Sequence, residues 1–313
     1  MNVRVLTVSQ MRCLARTADG NRAYAVKAIH SAAPESRPDV ICLPEAFTAR
    51  GVPTRNVADV AESVPGPTTD ALAGLARAYA CYIVCPIYTS REGRFFNSAV
   101  LLDRRGAIVG IYDKARPCLS GDGVFEEGVT AGTGGACFDT DFGRIGLRIC
   151  MDVNFPEDWC TLSEQRARLV LWPSASDGGL LLRAHAIMNG YFVVSSVRSG
   201  KARVVNPCGR VVAETADEAV VATVINLEAT VARTDFNPSL ADRILERYPA
   251  RVTVDRYPEE GLLLLEPHDG LTAAELQATL AFERAHESID RHRRAYAQAA
   301  EVRIGSIAAT PTA

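Results

Sequence analysis

Strand and helix patterns alternate from the start of the chain. The apolar run VRVLTV at 3–8 predicts a buried strand, and the helical spacing of Ala25, Ile29 and Ala32 predicts a helix after it. A second apolar run, DVICLPE at 39–45, predicts the next strand. Strands that alternate with helices favour a mixed sheet with helices packed against it.

The alternation of strands and helices continues along the chain and into its second half. Further strands are predicted by FFNSAVLLDRRGAIVGIY at 95–112, RLVLWP at 168–173, YFVVSSV at 191–197 and AVVATVINLE at 219–228, and helices by 157–166 and 181–190. Two such halves would form a helix–sheet–sheet–helix arrangement. The expected fold class is therefore α/β, a four-layer αββα sandwich.

The C-terminal part of the chain has a different character. From about residue 237 it is rich in Arg, Glu, Tyr and Pro, and 271–303 predicts one or two charged amphipathic helices that a capping box of Thr272 and Glu275 opens. We therefore expect a first domain at 1–236 and a C-terminal helical extension at 237–313. That extension would pack on the same domain or across a dimer.

Composition and charge exclude several kinds of partner. The formal net charge is -3, and no block of Lys and Arg is present, so neither a nucleic acid nor an anionic membrane is expected as a partner. The N-terminus lacks the basic and apolar regions of a secretory leader, and no run of about eighteen apolar residues occurs. The expected location is the cytoplasm.

The cysteines predict reduced thiols and no metal site. There are nine, an odd number without the spacing of a disulfide framework, which is typical of a reducing compartment. Cys81 and Cys85 lie within a predicted strand, and no second Cys or His pair follows at metal-binding spacing. Most of these side chains are expected to be small buried residues.

Cys150 has a different setting, in GLRICMDVNFPE at 146–157. Here a thiol stands where an apolar run stops and a turn begins, so it would be exposed at a sheet edge with backbone N–H groups behind it to face an oxyanion. A cysteine needs a base, because a free thiol is mostly protonated at neutral pH. Of the five histidines only His185 falls in the predicted core, so the base is sought among carboxylates.

Two other ionisable residues also follow apolar strands. Glu45 ends the run ICLPE, where partial desolvation would raise its pKa and suit it to proton transfer. Lys114 closes VGIYDK, where a fixed ammonium could stabilise a negatively charged tetrahedral intermediate. Each residue alone would be an ordinary surface charge, but together with Cys150 they can converge at one sheet edge.

The segments LPEAF, YDKARP and GLRICMDVNFPE, in this order, resemble the three signature segments of the carbon–nitrogen hydrolase (nitrilase) superfamily. The similarity extends over roughly residues 3–230. It implies the αββα sandwich, Glu45 as general base, Lys114 as transition-state stabiliser and Cys150 as nucleophile. It also implies a homodimer or larger homo-oligomer, and a reaction that requires neither a metal nor an organic cofactor.

The resemblance implies a second glutamate between the lysine and the cysteine. FEEG offers Glu126 and Glu127, and Glu127 better fits the shorter family spacing to Gly132. The backbone N–H of Met151 is expected to hold the oxyanion. Asp152 and Asn154 follow the nucleophile, where they would bind substrate, fix the turn or act as ordinary turn residues.

The expected activity is hydrolysis of a small amide through a thioester. CMDVNFPE resembles the amidase and carbamoylase branches more than the C-W-E pattern of true nitrilases, which puts N-carbamoyl cleavage second and nitrile hydrolysis third. Acyl transfer to an amine would require the exclusion of water. The competing class is a non-catalytic binding or assembly protein with this fold, against which the intact Glu45, Lys114 and Cys150 argue. Neither the substrate nor the size of the oligomer follows from these patterns.

Overall fold

The chain forms two units in the computed structural model, which describes residues 1–54, 56–216 and 219–308, with the backbone alone at 127 and 300–308. The first unit is Met1–Leu227 and the second is Glu228–Ala313. The expected boundary after residue 236 therefore lies too late. The reason is a strand at Thr230–Arg233, which pairs with Leu262–Pro267 of the second unit.

In its described residues, the first unit contains two six-stranded sheets and four α-helices. Its strands are β1 (Asn2–Val8), β2 (Val40–Cys42), β3 (Tyr82–Arg91), β4 (Arg94–Leu102), β5 (Ile108–Asp113), β6 (Cys137–Thr140), β7 (Gly143–Leu147), β8 (Leu169–Ser174), β9 (Phe192–Val197), β10 (Arg203–Val205), β11 (Val211–Glu214) and β12 (Val220–Asn226). Its helices are α1 (Ala18–Ser36), α2 (Pro67–Tyr79), α3 (Pro156–Glu164) and α4 (Gly179–Asn189). The strand orders are β12-β1-β2-β3-β4-β5 and β11-β10-β9-β8-β7-β6.

Helices α1 and α2 cover the first sheet through a buried apolar cluster. Ile29 of α1, Leu72 of α2 and Ile83 of β3 are fully buried within it. Truncating such a side chain to alanine costs about 2–5 kcal/mol of folding free energy, so this layer is strongly held.

Helices α3 and α4 cover the second sheet. Trp159 and Leu182 are fully buried, and a Cβ at Gly146 of β7 would lie 2.9 Å from Leu162 Cδ1. Glycine therefore lets α3 approach the sheet closely, because any larger residue at this position would push the helix outward.

The two sheets face each other across buried hydroxyls. Thr7 Oγ1 donates to Ser195 O at 2.6 Å, and Ser196 Oγ donates to Val8 O at 2.7 Å. These bonds join β1 to β9 and satisfy polar groups that would be costly to bury alone. The layers of the first unit are thus helix, sheet, sheet and helix, as predicted.

The second unit is not wholly helical, which corrects the expected helical extension. Its elements are β13 (Thr230–Arg233), α5 (Leu240–Arg247), β14 (Val252–Tyr257), β15 (Leu262–Pro267), α6 (Ala273–Leu280) and α7 (Ala285–Ala308), and the three strands form an antiparallel sheet in the order β13-β15-β14. The predicted capping box is present, with Thr272 Oγ1 accepting from Glu275 N at 3.1 Å. The strands were missed although β15 is a mostly apolar run, LLLLEP, because the charged residues in the rest of the extension dominated its composition.

Among the described residues, no helix combines the length and the apolar character that crossing a membrane would require.

Candidate active site

Glu45, Lys114 and Cys150 each follow the end of a strand of the first unit. Glu45 comes after β2, Lys114 directly after β5, and Cys150 after β7, on a 3₁₀ turn at Cys150–Asn154. Lys114 Nζ donates to Glu45 Oε1 at 2.8 Å, and both side chains are almost completely buried. The Cys150 sulfur, when ionised, also raises the pKa of Lys114, so the three groups interact electrostatically.

Lys114 is the cationic centre of the site. Its ammonium donates to Glu45 and also to Glu126 Oε1. Burial alone would lower the pKa of Lys114, but the carboxylates of Glu45 and Glu126, with the Cys150 sulfur when it is ionised, outweigh that effect and raise it. The side chain therefore stays charged.

Glu45 is held ionised, contrary to the expected raised pKa. Burial favours its neutral form, but Lys114 and Arg198, with hydrogen bonds from Lys114 and Asn97, outweigh burial and lower the pKa of Glu45. Asn97 Nδ2 donates to Oε1 at 2.9 Å, and Arg198 Nη2 lies 3.5 Å from Oε2. The expectation failed because it considered desolvation without the two cations. Oε2 has no hydrogen-bond partner within the described residues, which leaves it available to a proton donor.

The second glutamate in contact with this group is Glu126. Its Oε1 accepts from Lys114 and from Cys118 N at 3.1 Å, and its Oε2 accepts from Asn97 Nδ2 at 3.0 Å. Glu127, which the loop spacing favoured, has a side chain that lies outside the described residues. Spacing to Gly132 does not distinguish the two glutamates, because it takes no account of the 3₁₀ turn at Glu126–Gly128.

Cys150 sits on a strained corner. Its φ is 44°, in the left-handed region, which costs a non-glycine residue about 1–3 kcal/mol and is common at functional sites. Burial and the Glu45 charge raise the pKa of the thiol to about 11, opposed by Lys114, by the Ala175 backbone N–H and by the Ser174 hydroxyl. The sulfur therefore carries a proton at neutral pH, and donors are in place to stabilise it when that proton leaves.

Asp152 and Asn154, which follow the nucleophile, differ in burial. Asp152 is fully buried, and its carboxylate accepts from Ile149 N and Tyr112 Oη, both at 2.7 Å, and from Arg116 N at 2.9 Å. Both carboxylate oxygens are thus engaged by protein donors, which favours the fixing of the turn over substrate binding. Asn154 is exposed and donates to Met151 O at 3.3 Å.

His185, which the sequence analysis did not choose as the base, contacts the nucleophile turn through Val153 O. Its ring stacks on Trp159 with centroids 4.2 Å apart, and Nε2 lies 2.7 Å from Val153 O. Burial lowers the pKa of His185, so the imidazole is neutral and is engaged in packing.

Sequence reasoning missed three polar contributors to the site: Asn97, Ser174 and Arg198. Each carries the signal that identified Glu45 and Lys114, a polar residue within or directly after a buried strand, in β4, β8 and β9 respectively. Many other residues carry the same signal. Only the contacts with Glu45 or Cys150 in the folded chain distinguish these three from the others.

Comparison with known proteins points to one family. A family model described as carbon-nitrogen hydrolase matches residues 5–233. A beta-ureidopropionase of Arabidopsis thaliana is 33% identical over 198 residues, which are 58% of this chain and 48% of the plant protein. An omega-amidase of Bos taurus is 26% identical over 202 residues, 57% of this chain and 73% of that protein. The match thus spans about half the length of the plant relative.

Solved structures confirm the fold. Nit3 of Saccharomyces cerevisiae, a member of the nitrilase superfamily, aligns with a TM-score of 0.64 at 20% identity, covering 80% of this chain and 95% of that one. An amidase from Nesterenkonia sp. aligns with a TM-score of 0.61 at 23% identity, covering 71% and 90%. With the family model covering most of the first unit and the same fold in both structures, the chain belongs to the carbon–nitrogen hydrolase family.

Proposed function

We propose that this chain hydrolyses the C–N bond of a small amide through a thioester on Cys150. The observation that carries the proposal is the buried Lys114, which bridges Glu45 and Glu126 while sharing the electrostatic environment of the thiol. A merely structural ion pair needs neither a strained cysteine beside it nor, among the described residues, a Glu45 oxygen without a hydrogen-bond partner.

The attack begins from a neutral thiol and an ionised carboxylate. Glu45 takes the Cys150 proton on Oε2 as the sulfur bonds to the amide carbon, so a free thiolate is not required beforehand. The donors at Ser174 and Ala175 stabilise the charge that develops on the sulfur.

The tetrahedral intermediate needs donors for its oxyanion. Lys114 provides a fixed ammonium, and Met151, as the second residue of a 3₁₀ turn, has a backbone N–H of the kind that lacks an acceptor within its own turn. Such donors are most effective in a buried site, because they need no reorganisation as charge develops.

Breakdown of the intermediate returns the proton. Glu45 gives it to the departing nitrogen, which leaves as ammonia or an amine, and a thioester remains on Cys150. Glu45 then takes a proton from water as the water oxygen attacks the thioester. It returns this proton to the sulfur as the C–S bond breaks, so a carboxylic acid leaves and the Cys150 thiol is restored. Glu126 holds Lys114 and Asn97 in place throughout.

Cleavage of an N-carbamoyl acid is the second candidate. It is favoured by the 33% identity to a beta-ureidopropionase. It is also favoured by Arg198, whose side chain is 28% exposed beside Glu45 and offers a cation to a substrate carboxylate. Nitrile hydrolysis remains third.

We also propose that copies of the chain associate. Helix α4 exposes Leu180, Leu181 and Met188, a run of apolar side chains that a water-exposed helix rarely keeps. Light scattering after gel filtration should give at least a dimer, and Leu180→Glu should shift it toward the monomer. A wild-type monomer at micromolar concentration would contradict this.

The test of the activity is ammonia release from primary amides, N-carbamoyl amino acids and nitriles. Cys150→Ala should abolish release with the fold intact, since the thioester is proposed to form on this sulfur. Cys160→Ala, another partly buried cysteine on α3, is the matched control and should retain activity.

Activity of Cys150→Ala within a few-fold of wild type would contradict the proposed nucleophile. No release from any compound, together with a thiol that never alkylates, would support the non-catalytic binding protein instead. The best substrate distinguishes the amide, carbamoyl and nitrile branches.

A further inference from the structure

A second polar cavity lies behind the nucleophile turn, apart from the Glu45–Lys114 group. It has a volume of about 390 Å³, within the range of small-molecule sites. Its walls include Arg116, Arg148, Asp158 and the glycine-rich segment 132–136. None of Glu45, Lys114 or Cys150 lines it.

Arg148 is the unusual member of this cavity. It is only 5% exposed, and its guanidinium donates to neutral groups: Tyr112 Oη at 3.2 Å, Thr161 Oγ1 at 3.3 Å and Asp158 O. Its Nε has no hydrogen-bond partner, and within the described part of the chain no carboxylate lies at ion-pair distance from it. Within these residues Arg148 thus has no direct ion pair, and it is linked to the buried carboxylate of Asp152 only through the Tyr112 hydroxyl.

The other charges of the wall do not compensate Arg148. Asp158 is engaged by Arg116 in a two-pronged pair, Nε to Oδ2 at 2.8 Å and Nη2 to Oδ1 at 3.1 Å. Arg116 also lies 3.6 Å from Glu157, so within the described residues neither Arg116 nor Asp158 forms an ion pair with Arg148. A guanidinium without a direct ion pair favours a single negative group.

The glycine-rich segment leaves room for an occupant. A Cβ at Gly134 or Gly135 would meet no atom within 4 Å, and neither glycine has a positive φ. This side of the cavity is thus open and can accept larger residues without backbone strain.

We propose that this cavity binds a small oxyanion, a phosphate or a carboxylate, whose charge pairs with Arg148. Guanidinium groups bind both kinds of anion in a two-pronged geometry, and charge-assisted bonds of this kind are about twice as strong as neutral ones. The site adjoins the nucleophile turn, because Tyr112, which accepts from Arg148, donates to Asp152.

Calorimetric titration of the full chain tests the proposal with inorganic phosphate, sulfate and acetate at constant ionic strength in chloride. Saturable binding of phosphate and sulfate without acetate assigns a tetrahedral oxyanion, and binding of acetate assigns a carboxylate. Absence of binding by all three overturns the site.

Substitutions then locate the anion. Gly135→Asp puts a negative charge at the open wall and should weaken binding about tenfold, the effect of one unit charge a few ångströms away in a partly buried site. Gly74→Asp, at a glycine of α2 with equally open space, is the matched control and should leave binding unchanged. Both variants should melt as the wild type does.

The active site also contains cations, so Arg198→Met separates the two locations. Binding that persists in Arg198→Met and is weakened about tenfold in Gly135→Asp supports the cavity behind the turn. Binding that is lost in Arg198→Met and persists in Gly135→Asp places the anion beside Glu45 and overturns the proposal.

Discussion

At the scale of single residues, neighbouring charges decide where the catalytic proton rests. Glu45 and Cys150 are both substantially buried, which disfavours the charged form of each. Glu45 nevertheless ionises because Lys114 and Arg198 face it, whereas the thiol, beside the Glu45 carboxylate, keeps its proton. The free protein therefore holds an acceptor and a donor ready for transfer.

Alkylation of Cys150 by iodoacetamide should accelerate with pH. Because the thiolate reacts and the pKa of the thiol is about 11, the rate should rise about tenfold per pH unit above neutrality. Lys114→Met should slow the reaction further, since it removes a cation that stabilises the thiolate. Peptide-level mass spectrometry gives the rates, with Cys150→Ser as background. A rate that levels off near neutral pH would contradict this environment.

Glu126→Gln should lower kcat/KM strongly, whereas Glu127→Gln should leave it near wild type. The reason is that Glu126 contacts Lys114 and Asn97, and removing one partner of a buried ion pair costs about 3–5 kcal/mol. Steady-state kinetics and thermal unfolding of both variants measure the effect. The reverse pattern would restore Glu127 as the second glutamate.

At the scale of elements, Asp152 holds the nucleophile turn. Its carboxylate joins the turn itself, through Ile149 N, to β5, through Tyr112, and to the segment after β5, through Arg116 N. These bonds converge from two parts of the chain, so they can maintain the left-handed backbone at Cys150 that a short turn would not hold alone.

Asp152→Asn should destabilise this turn. An amide NH₂ replaces one oxygen that accepts from donors, and a buried unsatisfied donor costs about 1–3 kcal/mol. Urea unfolding should show this loss, and the alkylation rate of Cys150 should change because the sulfur loses its fixed position. Tyr112→Phe removes one of the bonds and is the milder comparison. Unchanged stability in Asp152→Asn would contradict the assigned role.

At the scale of the whole molecule, each unit has its own buried core. Ile29, Leu72 and Ile83 belong to the core of the first unit, and Ile244 and Leu276 to that of the second. The Glu45, Lys114 and Cys150 group lies entirely in the first unit. Family membership likewise rests on residues 5–233.

Leu276→Ala should lower the hydrogen-exchange protection of the second unit by about 2–5 kcal/mol, because a fully buried leucine leaves a cavity. Amides of β15 and α6 are the ones to follow by mass spectrometry. Leu245→Ala makes the same change at an exposed leucine of α5, so it is the matched control and should have little effect. Equal protection in both variants would contradict the assigned core.

The sequence alone determined the layers and the candidate catalytic residues, because both depend on local signals. Apolar periodicity predicts strands and helices, and Glu45, Lys114 and Cys150 each follow a strand end. Only the tertiary structure decided the direction of the Glu45 pKa and the contact of Glu126 with Lys114. It also decided the pairing of β13 with β15 and the unpaired charge of Arg148. These depend on groups far apart along the chain, such as Lys114 and Glu45, which are 69 residues apart, so no local pattern contains them.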